Sequence, residues 1–327
     1  MFGFLKLRDK HSLYPSFKAS PEVSQTYSFH VSCYDRLDIK DPESGPQEVH
    51  LMNGREFALK TPKSIQKIIF TDEPVKLDRM NFDASMEQDG SVIAWIEQNV
   101  MYVTSGRKGI PIMAPRDSRC MFIARDELET VDFGNLDFST AEEFSTMFAN
   151  CKKLRYLDMS KCDVSNATCF NEMFGNCSKL RYLRLDGWST SKCKNFDKMF
   201  LNCECLRVVD LSHFDTTSAL STSNMFAGCS RLTSVIMGDF KVPEANEDQK
   251  SKFYPIMSLS CNSMFARTPS LTTLVASDPR IIEEFLEKDP QSSPVRNIIN
   301  LTEWTPKVAD ELSIYVEVTP PVTECVR

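Results

Sequence analysis

The dipeptide Met-Phe begins at residues 121, 147, 173, 199 and 225, so every step is 26 residues. The letters around it recur as well: "STMFANCKKLRYLDM", "NEMFGNCSKLRYLRL" and "DKMFLNCECLRVVDL" are near copies of one another. A fixed period of this length constrains the fold more than any composition does. One short unit cannot bury its own apolar face and has to stack on its neighbours. A sixth pair starts at 264, one period plus 13 residues later, which places an insertion near 241–253 in the polar stretch "KVPEANEDQKSKF".

Counted from the Phe of each pair, the sixth position holds Leu128, Leu154, Leu180, Leu206, Leu232 and Leu271. The ninth holds Val131, Leu157, Leu183, Val209, Val235 and Leu274, and the eleventh Phe133, Met159, Leu185, Leu211, Met237 and Ala276. Together these spell L-x-x-L-x-L, and the alternation at nine and eleven predicts a strand with one buried face. Upstream, Phe144, Phe170 and Phe196 precede the Met by three, the i, i+3, i+4 spacing of a short helix. Ser139, Ser165, Ser191 and Thr217 share a column that can cap it, Ser139 and Glu142 at capping-box spacing. Two past the Phe stand Asn150, Asn176, Asn202 and Gly228, residues that tolerate the left-handed region and so read as the helix stop. The expected fold class is an α+β repeat solenoid: a leucine-rich-repeat-like stack of about six 26-residue helix–strand units with β-rich flanking caps.

Three past the Phe, Cys151, Cys177, Cys203 and Cys229 form another column, with Arg125 and Thr268 in the flanking copies. Stacked strands lie about 4.8 Å apart, so these thiols are expected in a row. Parallel Cβ vectors disfavour disulfides, and a row cannot surround a metal tetrahedrally. The leading reading is a small buried hydrophobe at a tight corner, with a disulfide or a metal role as the alternatives.

These columns resemble the BspA-like leucine-rich repeats, the Mycoplasma-type DUF285 repeats, whose core runs roughly F-D-T-S-x-V-x-x-M-x-x-M-F-x-x-C-x-x-L-x-x-L-x-L-S. The stretch "HFDTTSALSTSNMFAGCSRLTSVIM", from His213, is close to it. "KSIQKIIFTDEP", "FDASMEQDGSVIAW" and "NVMYVTSGRKGIPIMAP" resemble the strands that lead into the first repeat of such proteins. The resemblance covers roughly residues 60–278. It implies a fold and supplies no transferable binding residue. It also implies a host-associated microbe, since members are often surface or secreted proteins and some are adhesins. This sequence shows no signal peptide, lipoprotein cysteine near its start or wall-sorting motif, so a cytoplasmic location or a non-classical export route is expected.

The expected organisation is a β-rich segment or cap over 1–59, a β lead-in over 60–120, the repeats over 121–278, and a helix–strand cap or partner segment over 279–327. In the first of these, "QTYSFHVSCYD", "QEVHLMN" and "REFALKT" read as strands, with the Asn-Gly of "MNGRE" as a hairpin turn. In the last, "DPRIIEEFLEKDP" reads as a helix and "ELSIYVEVTPP" as a strand.

No catalytic signature accompanies the repeats. His11, His30, His50 and His213 fall in no metal spacing, Cys203 and Cys205 lack a second pair, and no nucleophile elbow, P-loop or dinucleotide fingerprint occurs. No enzyme activity, cofactor or metal is expected. A net charge of −7 argues against a general nucleic-acid binder, and no apolar run reaches membrane-spanning length.

What remains is the outer side of the strands. Position seven gives Arg155, Arg181 and Arg207, position eight Tyr156 and Tyr182, and position ten Asp132, Asp158, Arg184 and Asp210. Arg and Tyr are enriched at binding hot spots. The competing reading is a solvated ladder in which Arg184 balances Asp158 and Asp210. The function expected is a non-enzymatic interaction module, adhesion-like or a scaffold, facing a macromolecular partner, a protein or a carbohydrate. The alternative is a structural subunit joined to a larger assembly through its flanking β segments.

Overall fold

A computed structural model of the chain describes residues 48–75, 81–238, 240–241, 263–287 and 297–300. The strands expected in "QTYSFHVSCYD" and "ELSIYVEVTPP", and the insertion near 241–253 from residue 242 onward, lie outside the described residues.

In chain order the elements are β1 (Val49–His50), α1 (Gly54–Lys60), β2 (Lys67–Thr71), β3 (Asn81–Asp83), β4 (Ile93–Glu97), β5 (Val100–Thr104) and β6 (Ile112–Met113). The repeats then give β7 (Thr130–Asp132), β8 (Leu136–Asp137), β9 (Tyr156–Asp158), β10 (Tyr182–Arg184), β11 (Val208–Asp210), β12 (Ser234–Gly238) and β13 (Thr273–Ala276). Helix α2 (Pro279–Glu287), in the stretch expected to be helical, and β14 (Asn297–Asn300) follow. The strands fall into separate sheets of order β3-β4-β5-β2-β7, β1-β6-β8, β9-β10 and β11-β12-β13-β14. Pairing is antiparallel between β3, β4 and β5 and parallel elsewhere.

This corrects the expected fold class. The repeats are not helix–strand units of an α+β solenoid: among the described residues the helices are α1 and α2, both short and both outside 121–278. The chain is mostly short strands in several sheets. The reason lies in the backbone around each Met-Phe pair. Thr146 and Asn150 (φ 56° and 64°) are both left-handed, as are Glu172 and Asn176 (53° and 60°) and Lys198 and Asn202 (56° and 55°). Two such residues four apart cannot belong to a right-handed helix. The amides also point the wrong way for one. Phe144, Thr146, Phe148 and Asn150 donate to the carbonyls of Cys169, Asn171, Met173 and Gly175 in the next repeat. Between them, Met147 and Ala149 donate to Phe144 and Thr146, closing tight turns. The i, i+3, i+4 apolar spacing is therefore produced by successive turns, with no helix needed. The expected caps are corrected with the helix: the amides of Ser139, Ser165 and Thr217 donate to Asp137, Asp163 and Asp215, and Glu142 pairs with Arg116.

Repeats nevertheless meet like with like. Isolated parallel bridges join Asp117 to Glu143, Glu143 to Cys169, Cys169 to Asn195 and Asn195 to Ser221. Rings stack from Phe122 to Phe148, Phe174, Phe200, Phe226 and Phe265, with centroids 4.8, 5.7, 5.7, 5.2 and 5.8 Å apart and planes within 17° of parallel. All six rings are fully buried. Phe144, Phe170 and Phe196 make a second file at 5.4 and 5.9 Å. One hydrophobic core runs without a break from Val49 to Phe285.

The N-terminal hairpin expected at "MNGRE" is also corrected. Asn53 caps α1, its Oδ1 accepting the Glu56 amide at 3.0 Å, and Phe57 and Ala58 are buried by the helix that "REFALK" forms. Glu56 in the first turn and Lys60 in the last suit the helix dipole, so capping outcompetes the turn chemistry of Asn-Gly. Gly54 has a separate task. A Cβ there would lie 2.5 Å from the Arg119 carbonyl oxygen, a backbone atom that cannot swing aside. Gly54→Ala is expected to cost about 1–3 kcal/mol by pushing α1 off the first repeat, read as a lower urea midpoint. An unchanged midpoint would show that α1 does not dock there.

Candidate functional site

The strand face is held from behind by the cysteine column. Cys151, Cys177, Cys203 and Cys229 are free thiols with no exposed surface. Each Sγ donates to the carbonyl of the phenylalanine one repeat back: Cys151 to Phe122 at 3.0 Å, Cys177 to Phe148 and Cys203 to Phe174 at 3.1 Å, and Cys229 to Phe200 at 3.0 Å. A cysteine is small enough for the corner, and unlike alanine it brings a donor to a buried carbonyl. Burial pushes the Cys151 thiol up to about 12 and those of Cys177 and Cys203 well above the ordinary 9.0. In the first repeat Arg125 stands in this column instead, itself buried, and its guanidinium donates to the Ala58 carbonyl of α1. It ties the lead-in to the repeats.

On the outer face, β9 and β10 pair in parallel with Tyr182 opposite Tyr156 and Arg184 opposite Asp158. The structure thus places the two tyrosines side by side, with Arg155 and Arg181 in consecutive repeats immediately before them. Arg155, Arg181 and Arg207 are exposed. None of the three makes an ion pair among the described residues. The Arg181 guanidinium carbon lies 5.2 Å from the centroid of the Tyr182 ring, a cation–π contact that lays this arginine over the face. No ladder joins β10 to β11, so Arg207 and Asp210 sit on a neighbouring sheet whose first register pair is Val208 with Ser234.

The remaining candidates have structural work. Asp158 accepts the Ser160 amide and hydroxyl at 3.0 and 2.6 Å, and the Tyr156 hydroxyl at 3.2 Å. Arg184 pairs with Asp158 at 3.2 Å and with Asp186 at 3.1 Å. The balance expected between Arg184 and Asp210 is replaced by the pair with Asp186. Burial pulls the Asp158 carboxyl upward, but Ser160, Arg184 and Tyr156 together outweigh it and hold the group below its usual range. Arg184 is raised in turn, first by the charge of Asp158. Asp210 accepts the Ser212 amide at 2.9 Å. These aspartates shape the turn that follows each strand, and the spacing Asp-x-Ser at 158–160 and 210–212 was a visible sign of it.

Two features of the face carry no mark in the repeat columns first read for contact. Lys179 and Arg231, five past their phenylalanines, are exposed on the same rim as the arginines. Lys153, in the same column, is held by Glu127 at 2.7 Å, and its neighbour Lys152 by Asp126 at 3.3 Å. The rim is therefore acidic at the first repeat, with Asp126, Glu127 and Glu129, basic at the next two, and mixed at the fourth, where Glu204 accompanies Arg207. The face also continues into the lead-in sheet, where Trp95 stacks on Tyr102 at 5.1 Å, Tyr102 is opposite Ile69, and Ile69 is opposite Asp132. Toward the other end it closes: Ser234, Ile236, Thr273 and Val275 are all buried. The outward residues reach solvent in the middle, from β7 to β11.

Among the described residues no helix is long and apolar enough to cross a membrane. No curated protein and no solved structure matches the chain. Residues 117–255, which hold the repeats with the unbroken 26-residue step, are similar to the family described as Mycoplasma protein of unknown function, DUF285.

Proposed function

We propose that the chain is a non-enzymatic interaction protein that offers the middle of its strand face, from β9 to β11, to a protein partner. The observation that carries this is a column of exposed guanidinium groups, Arg155, Arg181 and Arg207, with no ion pair among the described residues, in a chain of net charge −7. A row of exposed cationic groups offers electrostatic complementarity to an acidic patch on a partner, which steers encounter and disfavours wrong partners. Beside them Tyr156 and Tyr182 add rigid amphipathic area, the kind of side chain that carries binding energy. The resemblance of "HFDTTSALSTSNMFAGCSRLTSVIM" to the BspA-like leucine-rich repeats, some of whose members are adhesins, supports the same reading.

The test is the triple reversal Arg155→Glu, Arg181→Glu and Arg207→Glu. These side chains are exposed, so the fold is expected to survive, with an unchanged circular dichroism spectrum and melting temperature. Capture of the native partner is expected to fall at least about tenfold, since reversing rim charges replaces attraction by repulsion. Undiminished capture by a folded triple variant would remove this face from consideration. A partner released by glycosidase and not by protease would replace the protein with a carbohydrate.

A further inference from the structure

The repeats meet unevenly at one junction. We infer that the stack is jointed between its third and fourth repeats, those of Phe174 and Phe200. It bends about the side that carries the Met-Phe pairs, and the strand face opens and closes between β10 and β11. This property is independent of any partner.

Elsewhere along the strand side, backbone amides cross from repeat to repeat. Arg181 and Tyr182 donate to the Arg155 carbonyl, Thr233 and Ser234 to that of Arg207, and Thr272 and Thr273 to that of Thr233. Met159 and Leu211 donate forward to Arg184 and Ile236. Even between β7 and β9, which share no ladder, the Arg155 amide reaches the Glu129 carbonyl. Between β10 and β11 the corresponding bonds are missing among the described residues: the Arg207 and Val208 amides do not reach Arg181, and the Leu185 amide does not reach Asp210. The α-carbons of these two strands mostly stand more than 8 Å apart, against about 4.8 Å between paired strands. Leu183 registers the gap. It is partly exposed, while Val131, Leu157, Val209, Val235 and Leu274 in the same column are buried. Backbone groups outside a ladder turn to water, so little holds the two strands at one separation.

The opposite side of the same junction is closed. Phe170, Glu172, Phe174 and Asn176 donate to Asn195, Asp197, Met199 and Leu201. The Asn202 side-chain amide donates to that of Asn176 at 2.8 Å, and Lys198 pairs with Glu172 at 3.0 Å. The rings of Phe174 and Phe200 keep a 5.7 Å spacing. A backbone ladder on one side and none on the other lets two packed blocks turn about the laddered side. Past the strands, side chains clasp the junction. His213 Nε2 donates to the Leu185 carbonyl at 2.7 Å, the Thr190 hydroxyl donates to the Asp215 carbonyl at 2.8 Å, and Trp188 stacks on Phe214 at 6.0 Å. Side-chain bonds can release without unfolding a repeat. Arg155 and Arg181 ride on one block and Arg207 on the other, so bending changes their separation.

Two measurements on the full chain test the joint. Residue-by-residue amide hydrogen exchange is expected to be at least about a hundredfold faster at Leu185, Arg207 and Val208 than at Arg181, Tyr182, Thr233 and Ser234, with Phe170, Phe174 and Asn176 protected. Equal protection of the two strand-side sets would mean that β10 and β11 pair in solution, and would overturn the joint. Spin-label amino acids then read motion, in place of Tyr182 and Val208 in one protein and of Tyr156 and Tyr182 in another. The pair across the break is expected to give a broad distance distribution, and the pair across the β9–β10 ladder a narrow one. His213→Ala combined with Thr190→Val is expected to shift the first to longer distances and leave the second unchanged. Thr190→Val alone, which keeps the volume, is expected to give a smaller shift in the same direction and serves if the double variant does not fold. Equally narrow distributions at both pairs, or a break indifferent to loss of the clasps, would show a rigid junction and sink the proposal.

Discussion

Replacing Phe174 by alanine is expected to cost about 3–5 kcal/mol, the range for deleting a large buried ring. The ring has no exposed surface. It lies between Phe148 and Phe200, 5.7 Å from each, with interplanar angles of 12° and 5°. Two stacked pairs are lost at once, each worth about 0.5–1.5 kcal/mol beyond area. The residues around the void cannot close it, because Cys177 and Leu180 are pinned by hydrogen bonds within and between repeats. Stacked repeats are held by nearest-neighbour interfaces, so the loss is also expected to divide one urea transition into two. Phe174→Leu keeps most of the volume and is expected to lose much less. If Phe174→Ala stayed within about 1 kcal/mol of the parent, the file of rings would not be a principal support of the fold.

That file was legible because a period is a strong constraint. Any residue that recurs every 26 positions and is apolar each time has to meet its own copies. The strands were legible for a similar reason: inward residues at nine and eleven leave little choice of period. The helix was misread because two different backbones give the same apolar spacing. Half of what distinguishes them was visible, in Asn150, Asn176, Asn202 and Gly228, all of which are left-handed as expected. The other half was not. The second left-handed position of each repeat is filled by Thr146, Glu172, Lys198 and Asn224, residue types with no shared preference for it. There the ladder of bonds to the next repeat imposes the conformation, and tertiary context overrides propensity.

The face was legible only in part. A column of arginines is visible in the sequence, but whether each one is already engaged is a matter of geometry. Arg184 looks like the others in composition and differs from them in the structure, since it is held between Asp158 and Asp186. The closed end of the face left one trace, the apolar Ile236 and Val275 in the column that elsewhere holds Asp or Arg, while its continuation into the lead-in sheet was invisible, because Tyr102 and Ile69 belong to no repeat column.

The fold is expected to be lost in mild alkali, between about pH 10 and 11, and the loss to be carried by thiols. Burial raises Cys151 and Cys162 to about 12 and moves Cys177, Cys193 and Cys203 in the same direction. An unfolded cysteine ionises near 9.0, the value from which these shifts start. A thiol whose folded pKa is raised contributes stability that is complete below the unfolded value. That contribution falls as pH climbs from about 9 toward the folded value, because only the unfolded chain releases the proton. Each buried thiol steepens the fall by about 1.4 kcal/mol per pH unit, and several act together against a total of about 5–15 kcal/mol. Urea titrations at a series of pH values measure that slope directly. Cys177→Ala and Cys203→Ala will each lower stability at every pH, since each loses volume and a donor to a buried carbonyl. The slope above pH 9 should nevertheless become shallower by about 1.4 kcal/mol per pH unit for each thiol removed. The slope separates ionisation from packing, because a void costs the same at pH 8 as at pH 10. A slope indifferent to both replacements, or rapid reaction of the native column with a thiol reagent at pH 8, would mean that water reaches these corners and that the cysteines do not seal the stack.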